Sequence, residues 1–287
     1  MMALSRKQKK KPPRRGRESW RVATLVRHAI SARDDDVSWK CISALHWKGD
    51  REVLNAAVAL CKSNKAKERR IGADILGQLG VPDRTFPEEA LKILHGMLRT
   101  DSNPDVLNAV LVAIGHTQDN EDMCGIQKIV SLRHHRNSYV RYGVVHAIAG
   151  REDGESVNTL IKLMEDSDTE VRDWATFGLG TQLDLDTPRI RKALWKRVND
   201  SDLETRCEAI VGLARRKDSK IRDVLVKELS QEKPSSLVFD ATANYGDPHL
   251  MVHLKRHLRT VKRKNDVNVI WYGALKRAVK DLRQRSR

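Results

Sequence analysis

Three histidines, His249, His253 and His257, stand four residues apart. On a helix that spacing stacks them on one face, where neighbouring rings could offer nitrogens to a metal. Two helical turns spread the outer two over ~12 Å, too far for one ion. They are therefore read as part of a basic helix face, with no metal. His134 and His135, between Arg133 and Arg136, read as a basic loop at a helix end, where positive charge is favoured. The chain holds no G-x-x-x-x-G-K-[ST] loop to cradle a nucleotide phosphate, no G-x-S-x-G elbow and no H-E-x-x-H zinc helix. Its four cysteines (Cys41, Cys61, Cys124, Cys207) lie far apart without a C-x-x-C. That argues against a cysteine zinc site or a disulfide framework and fits a reducing cytoplasm. No cofactor is expected.

Charge is the stronger signal. The 287 residues carry a net +16 and a pI near 9.9. Residues 1–17 hold eight basic residues and no acid, and residues 249–287 hold twelve basic residues against Asp266 and Asp281. The 34 basic and 36 acidic residues between them leave a body of net −2. Such blocks attract polyanions and say little about folding. Residues 1–19, with Lys9, Lys10, Lys11, Arg14 and Arg15 beside Pro12 and Pro13, read as a disordered basic arm. A second cluster comprises Arg189, Arg191, Lys192, Lys196 and Arg197, and a third Lys255, Arg256, Arg259, Lys262, Arg263 and Lys264. Lys62, Lys65, Lys67, Arg69 and Arg70 form a smaller group. The expected partner is nucleic acid, held through its phosphate backbone, or an acidic protein surface, with binding that weakens in salt. Aromatic content of 5% argues against a single-strand stacking platform. No apolar run reaches ~18 residues, so no membrane span is expected. The chain is expected to act as a monomer.

The elements that must position these clusters follow from an internal repeat, sought first because it decides the fold. In the stretch Val171 to Gly180, a valine is followed after four residues by Ala175 and after four more by Leu179. The same columns recur in eight frames, ending at His46, Gly77, Gly115, Ala149, Gly180, Ala214, Gly246 and Ala278, 31–38 residues apart. This is helical spacing, and a closing Gly or Ala suits a helix C-terminus. Each such first helix is followed by a second amphipathic one, as in Val157, Leu160, Ile161 and Met164. Neither helix can bury its stripe alone, but stacked pairs can. The fold class is therefore all-α, an α-solenoid of about seven helix pairs plus a terminal helix. It spans residues 20–287, with a basic cap at 249–287.

The Val-Arg-x-x-Ala-x-x-x-Leu-Gly pattern of Val171–Gly180, echoed in Val140–Ala149, resembles the HEAT repeats, in particular the short bacterial repeats of phycobilisome lyases. The resemblance implies second helices on the concave face. It also implies three possible activities. The hydroxylase branch needs His-Glu dipeptides, and the chain has none. The chromophore-lyase branch is suggested only by the family name. The DNA glycosylase branch implies an Asp to stabilise a developing cationic sugar and a Trp to press on it; Asp184, Asp186 and Trp195, near the arginines of the second cluster, are the residues that could serve. The leading expectation is a non-catalytic binding scaffold, with an alkylpurine-type glycosylase as the alternative.

Overall fold

A computed structural model describes residues 17, 20–117, 125–261 and 268–285. Among these residues the regular structure is helical, with no strand. The chain divides into two compact units, Met1–Ile148 and Ala149–Arg287. The first holds α1 (Val22–Ser31), α2 (Asp35–Lys48), α3 (Arg51–Cys61), α4 (Ala66–Gly77), α5 (Pro87–Thr100), α6 (Pro104–Thr117), α7 (Ile126–Ser131) and α8 (Ser138–Ile148). The second holds α9 (Gly154–Leu163), α10 (Thr169–Phe177), α11 (Pro188–Arg197), α12 (Leu203–Arg215), α13 (Ile221–Leu229), α14 (Ser236–Tyr245), α15 (Met251–Val261) and α16 (Val269–Arg285).

Every motif frame falls on an even-numbered helix. The column residues Val106, Val140, Val171, Cys41, Ala175, Leu179 and Leu213 are fully buried, each valine contributing about 1.5–3 kcal/mol by leaving water. Each first helix packs against the second helix before it, as α2 does on α1, α4 on α3 and α12 on α11. The pairs therefore number eight among the described residues. Seven pairs and a terminal helix were expected. The additional helix is α1, which precedes the first frame and carries no motif of its own.

Caps and clamps explain the conserved spacing of the motif from frame to frame. Asp168 and Asp202 accept hydrogen bonds from Val171 N and Thr205 N at 3.2 and 2.8 Å, the side-chain capping that a helix start requires. The arginine after the motif valine folds back on the loop before its own helix. Arg141 donates to His135 O, Arg172 to Asp166 O and Arg206 to Asp200 O. Arg172 also reaches Asp200, and Arg69 reaches Asp101, in the loop of the following repeat. Where the motif arginine is present, as Arg69, Arg141, Arg172 and Arg206, it thus ties the repeat to the loop before it, and Arg69 and Arg172 tie it to the neighbour as well.

Small residues let first helices cross closely. A Cβ on Gly77 would lie 2.8 Å from Ala113 Cα, and one on Gly212 would lie 2.7 Å from Gly180 Cα. Gly180 itself sits in a π-turn, Gly178–Gln182, that closes α10. In each unit the first helices pack against one another along the stack: α4 on α6 and α6 on α8, then α10 on α12, α12 on α14 and α14 on α16. Successive second helices touch sparsely. Within each unit the first helices therefore form the closely packed layer.

Candidate functional site

The clusters singled out by charge divide into residues tied into the fold and residues left open. Lys9, Lys10, Lys11, Arg14, Arg15, Lys262, Arg263 and Lys264 lie outside the described residues. The cluster on α11 is mostly committed. Arg191 forms a bidentate pair with Asp186 at 2.8 and 2.7 Å and also reaches Asp218 at 3.1 Å. These two carboxylates hold its guanidinium above the ordinary range. Lys196 pairs with Glu165 and Arg197 with Asp200. Arg189 and Lys192 are exposed. In the first unit Lys67 donates to Ala32 O, Arg69 pairs with Asp101 and Arg70 with Asp35.

The residues considered for glycosidic chemistry are brought near one another, but each is engaged. Trp195 Nε1 donates to Asp218 at 3.2 Å. Asp186 is bound by Arg191, which holds its carboxyl below the usual range. Asp184 is exposed and pairs with Arg215 at 2.8 Å. Beside them lies Arg216, a residue that no motif or charge cluster singles out. Its buried guanidinium donates to the carbonyls of Leu179, Gly180, Leu183, Leu185 and Gly212 at 2.9–3.1 Å. It satisfies the end of the π-turn and the loop after it, so the centre of this cluster is structural.

On the last helix pair the three histidines do not share one exposed face. His249 lies in a 3-10 turn, Pro248–Leu250, ahead of α15. His257 is buried at 3% exposure; its Nε2 lies 2.7 Å from Leu229 O, and its ring meets Phe239 and Trp271. Burial holds its pKa below the ordinary value, so it adds no charge at neutral pH. Arg256 also donates to Leu229 O, at 2.8 Å. Lys255 and Arg259 remain exposed on α15, and Lys276, Lys280 and Arg283 on α16. A groove of about 430 Å³ runs between the two helices, floored by Leu258, Tyr272 and Val279 and edged by Lys276, Lys280 and Arg283.

Two carboxylates of the first helices in the second unit, Asp173 on α10 and Glu208 on α12, are pushed toward their neutral forms. Burial, reinforced by Asp173, Glu204 and Asp240 nearby, pushes Glu208 up to about 7 against a hydrogen bond from Thr181. Burial and neighbouring carboxylates push Asp173 up to about 6. Between the ordinary 4.5 and about 7, the folded protein holds a proton on Glu208 that the unfolded chain releases. Stability should therefore fall as pH rises through that window. Glu208→Gln should flatten this slope. In urea denaturation it should be more stable than the parent at pH 8 by about 1–2 kcal/mol and equal to it near pH 4.5.

These helix pairs, with their Val-Arg clamps and small-residue crossings, define a helical-repeat protein, and part of the chain is similar to the HEAT repeats. Residues 126–202 match the family model for HEAT repeats. Protein YibA of Escherichia coli K12 is 28% identical over 225 residues, 76% of this chain and 79% of that protein. The X-ray structure of the E. coli YibA protein superposes with a TM-score of 0.66 at 24% identity, over 92% of this chain and 94% of that one. The complex of CpcE and CpcF of phycocyanin lyase from Nostoc sp. PCC7120 matches at a TM-score of 0.50 and 14% identity, over 95% and 98% of the chains. Both structures establish likeness of fold alone. No helix among the described residues is long and apolar enough to cross a membrane.

Proposed function

We propose that this chain is a non-catalytic helical-repeat scaffold that binds a polyanionic partner, an acidic protein surface, through the cationic end formed by α15 and α16. One observation carries the reading. Lys255, Arg259, Lys280 and Arg283 are exposed, and none meets a carboxylate among the described residues, whereas the cations of α11 and α4 are largely paired. The groove beneath adds an apolar floor of Leu258, Tyr272 and Val279. Apolar contact ringed by charge suits a protein surface better than a bare phosphate backbone, which offers charge alone. The CpcE–CpcF complex is one in which proteins of this fold assemble with each other. The basic arm at residues 1–19 adds long-range attraction to the same class of partner.

The test reverses the four free cations to Glu together. Fluorescence anisotropy then follows a labelled Glu-rich peptide and, separately, a short labelled DNA duplex across a salt series, with and without residues 1–19. The parent should bind the peptide with an affinity that falls as salt rises. Reversal should weaken binding at least tenfold, and the truncated chain should keep it. Tighter binding of the duplex than of the peptide would transfer the reading to nucleic acid. Binding that survives reversal would remove α15 and α16 from the site.

A further inference from the structure

The α15–α16 pair presents an end face with the chemistry of a stacking surface, and nothing among the described residues is stacked on it. Where a further first helix stacks on this side, the motif-valine column is covered: Val106 in α6, Val171 in α10 and Thr205 in α12 are 0% exposed, and Val37 in α2, Glu68 in α4 and Leu237 in α14 are part-buried. In α16 the same column holds Val269, and it is 83% exposed. The next column holds the clamping arginine in α8, α10 and α12. In α16 it holds Ile270, 77% exposed. A clamp position thus holds an exposed apolar residue in place of the arginine. With Val252 of α15 at 65%, three of the six large apolar side chains exposed among the described residues lie on this one pair. Isolated exposed apolar residues are unremarkable, but Val269 and Ile270 stand side by side at the start of α16, and adjoining exposed apolar residues at a stacking column mark an interaction surface. Helix α16 is firmly held beneath them: it packs on α14 and α15, Asn268 caps it through Ile270 N and Trp271 N, and Trp271 Nε1 donates to Pro234 O at 2.7 Å.

We propose that this end face docks an amphipathic helix with an acidic polar side, contributed by a protein partner, which continues the stack by one further helix. The occupant's chemistry follows from charge. Lys276, Lys280 and Arg283 lie on the turns of α16 that follow Val269, and Asp281 is the sole acid of that helix. A second copy meeting through the same face would set these cations against their own kind, which is repulsive. A helix with apolar residues three and four apart would lay them on Val269, Ile270 and the groove floor while its carboxylates met the lysines. This inference rests on the cationic-end reading above and adds the shape of the partner to it.

Two labelled peptides of identical composition separate the two ideas. One is a designed acidic helix with Leu at positions three and four apart and Glu elsewhere; the other has the same residues in an order without a helical face. The variant V269N/I270N changes only exposed side chains, and circular dichroism verifies its fold. The parent should bind the amphipathic peptide at least tenfold more tightly than the scrambled one. The double variant should lose that advantage and keep the weak, salt-sensitive binding of the scrambled peptide. Equal binding of both peptides, or an advantage that survives the substitutions, overturns the docking inference and leaves the cationic end standing. Failure of both peptides to bind overturns the two together. Self-association of the parent in sedimentation, abolished by V269N/I270N, would assign the face to a second copy and overturn the acidic-helix proposal.

Discussion

Arg216→Met is expected to destabilise the second unit by about 3–5 kcal/mol while keeping the volume of the side chain. Arg216 is 7% exposed. It donates to five backbone carbonyls drawn from the π-turn, the loop that follows and α12. Burial lowers its pKa, and Asp186 acts in the opposite sense. Methionine would leave these carbonyls facing apolar carbon. A buried acceptor left unmade costs about 1–3 kcal/mol, and such costs within one network add incompletely. Arg216→Lys should recover part of the loss, because an ammonium has three donors but cannot span five acceptors. Urea denaturation followed by circular dichroism gives the comparison. A loss below about 1 kcal/mol for Arg216→Met would show that water replaces the guanidinium, and that the π-turn is held by other means.

Gly212→Val should cost about 2–4 kcal/mol, and Gly212→Ala roughly half as much. Here α12 passes the π-turn with backbone against backbone. An added Cβ would meet Gly180 Cα at 2.7 Å and Leu194 Cδ1 at 3.1 Å, and a backbone atom cannot swing aside as a side-chain end can. Gly96 on α5 provides the opposite case, since a Cβ there meets nothing within 4 Å. Gly96→Ala should stabilise by about 0.5–1 kcal/mol through helix propensity alone. Thermal melts of both variants should move in opposite directions. A shared sign would mean that the close crossing does not control packing in this layer.

The helices were largely legible in the sequence, because burial on one face repeats with the helical period and the eight frames keep that period in phase. Helix α1 was not, since VATLVRHAIS is one amphipathic stretch with no second copy to phase it. Which layer would pack more tightly was equally hidden: periodicity marks the buried face of a helix, but not the distance between neighbours. The candidate site was legible as charge only. Arg191 and Asp218, or Arg172 and Asp200, meet across 27 and 28 residues, so composition counts their charges without pairing them. His257 continued the spacing of His249 and His253, yet it turns inward to Leu229 O. The free cations of α15 and α16 stood out because few acids are near them in sequence, and that imbalance persists in space.

The motif arginine that binds the loop before its own helix, and then an aspartate of the next repeat, constrains how such a chain can diverge. Arg172 and Asp200 occupy two repeats but act as one unit, as do Arg69 and Asp101. A lone change at either position deprives a partly buried charge of one of its partners, whereas a joint change to neutral residues removes both charges of the pair together. Drift should therefore move these positions in linked steps about one repeat apart, while the lysines of the last pair vary independently. Related chains can on this basis differ widely in surface charge, and so in the partners they select, while keeping the same scaffold.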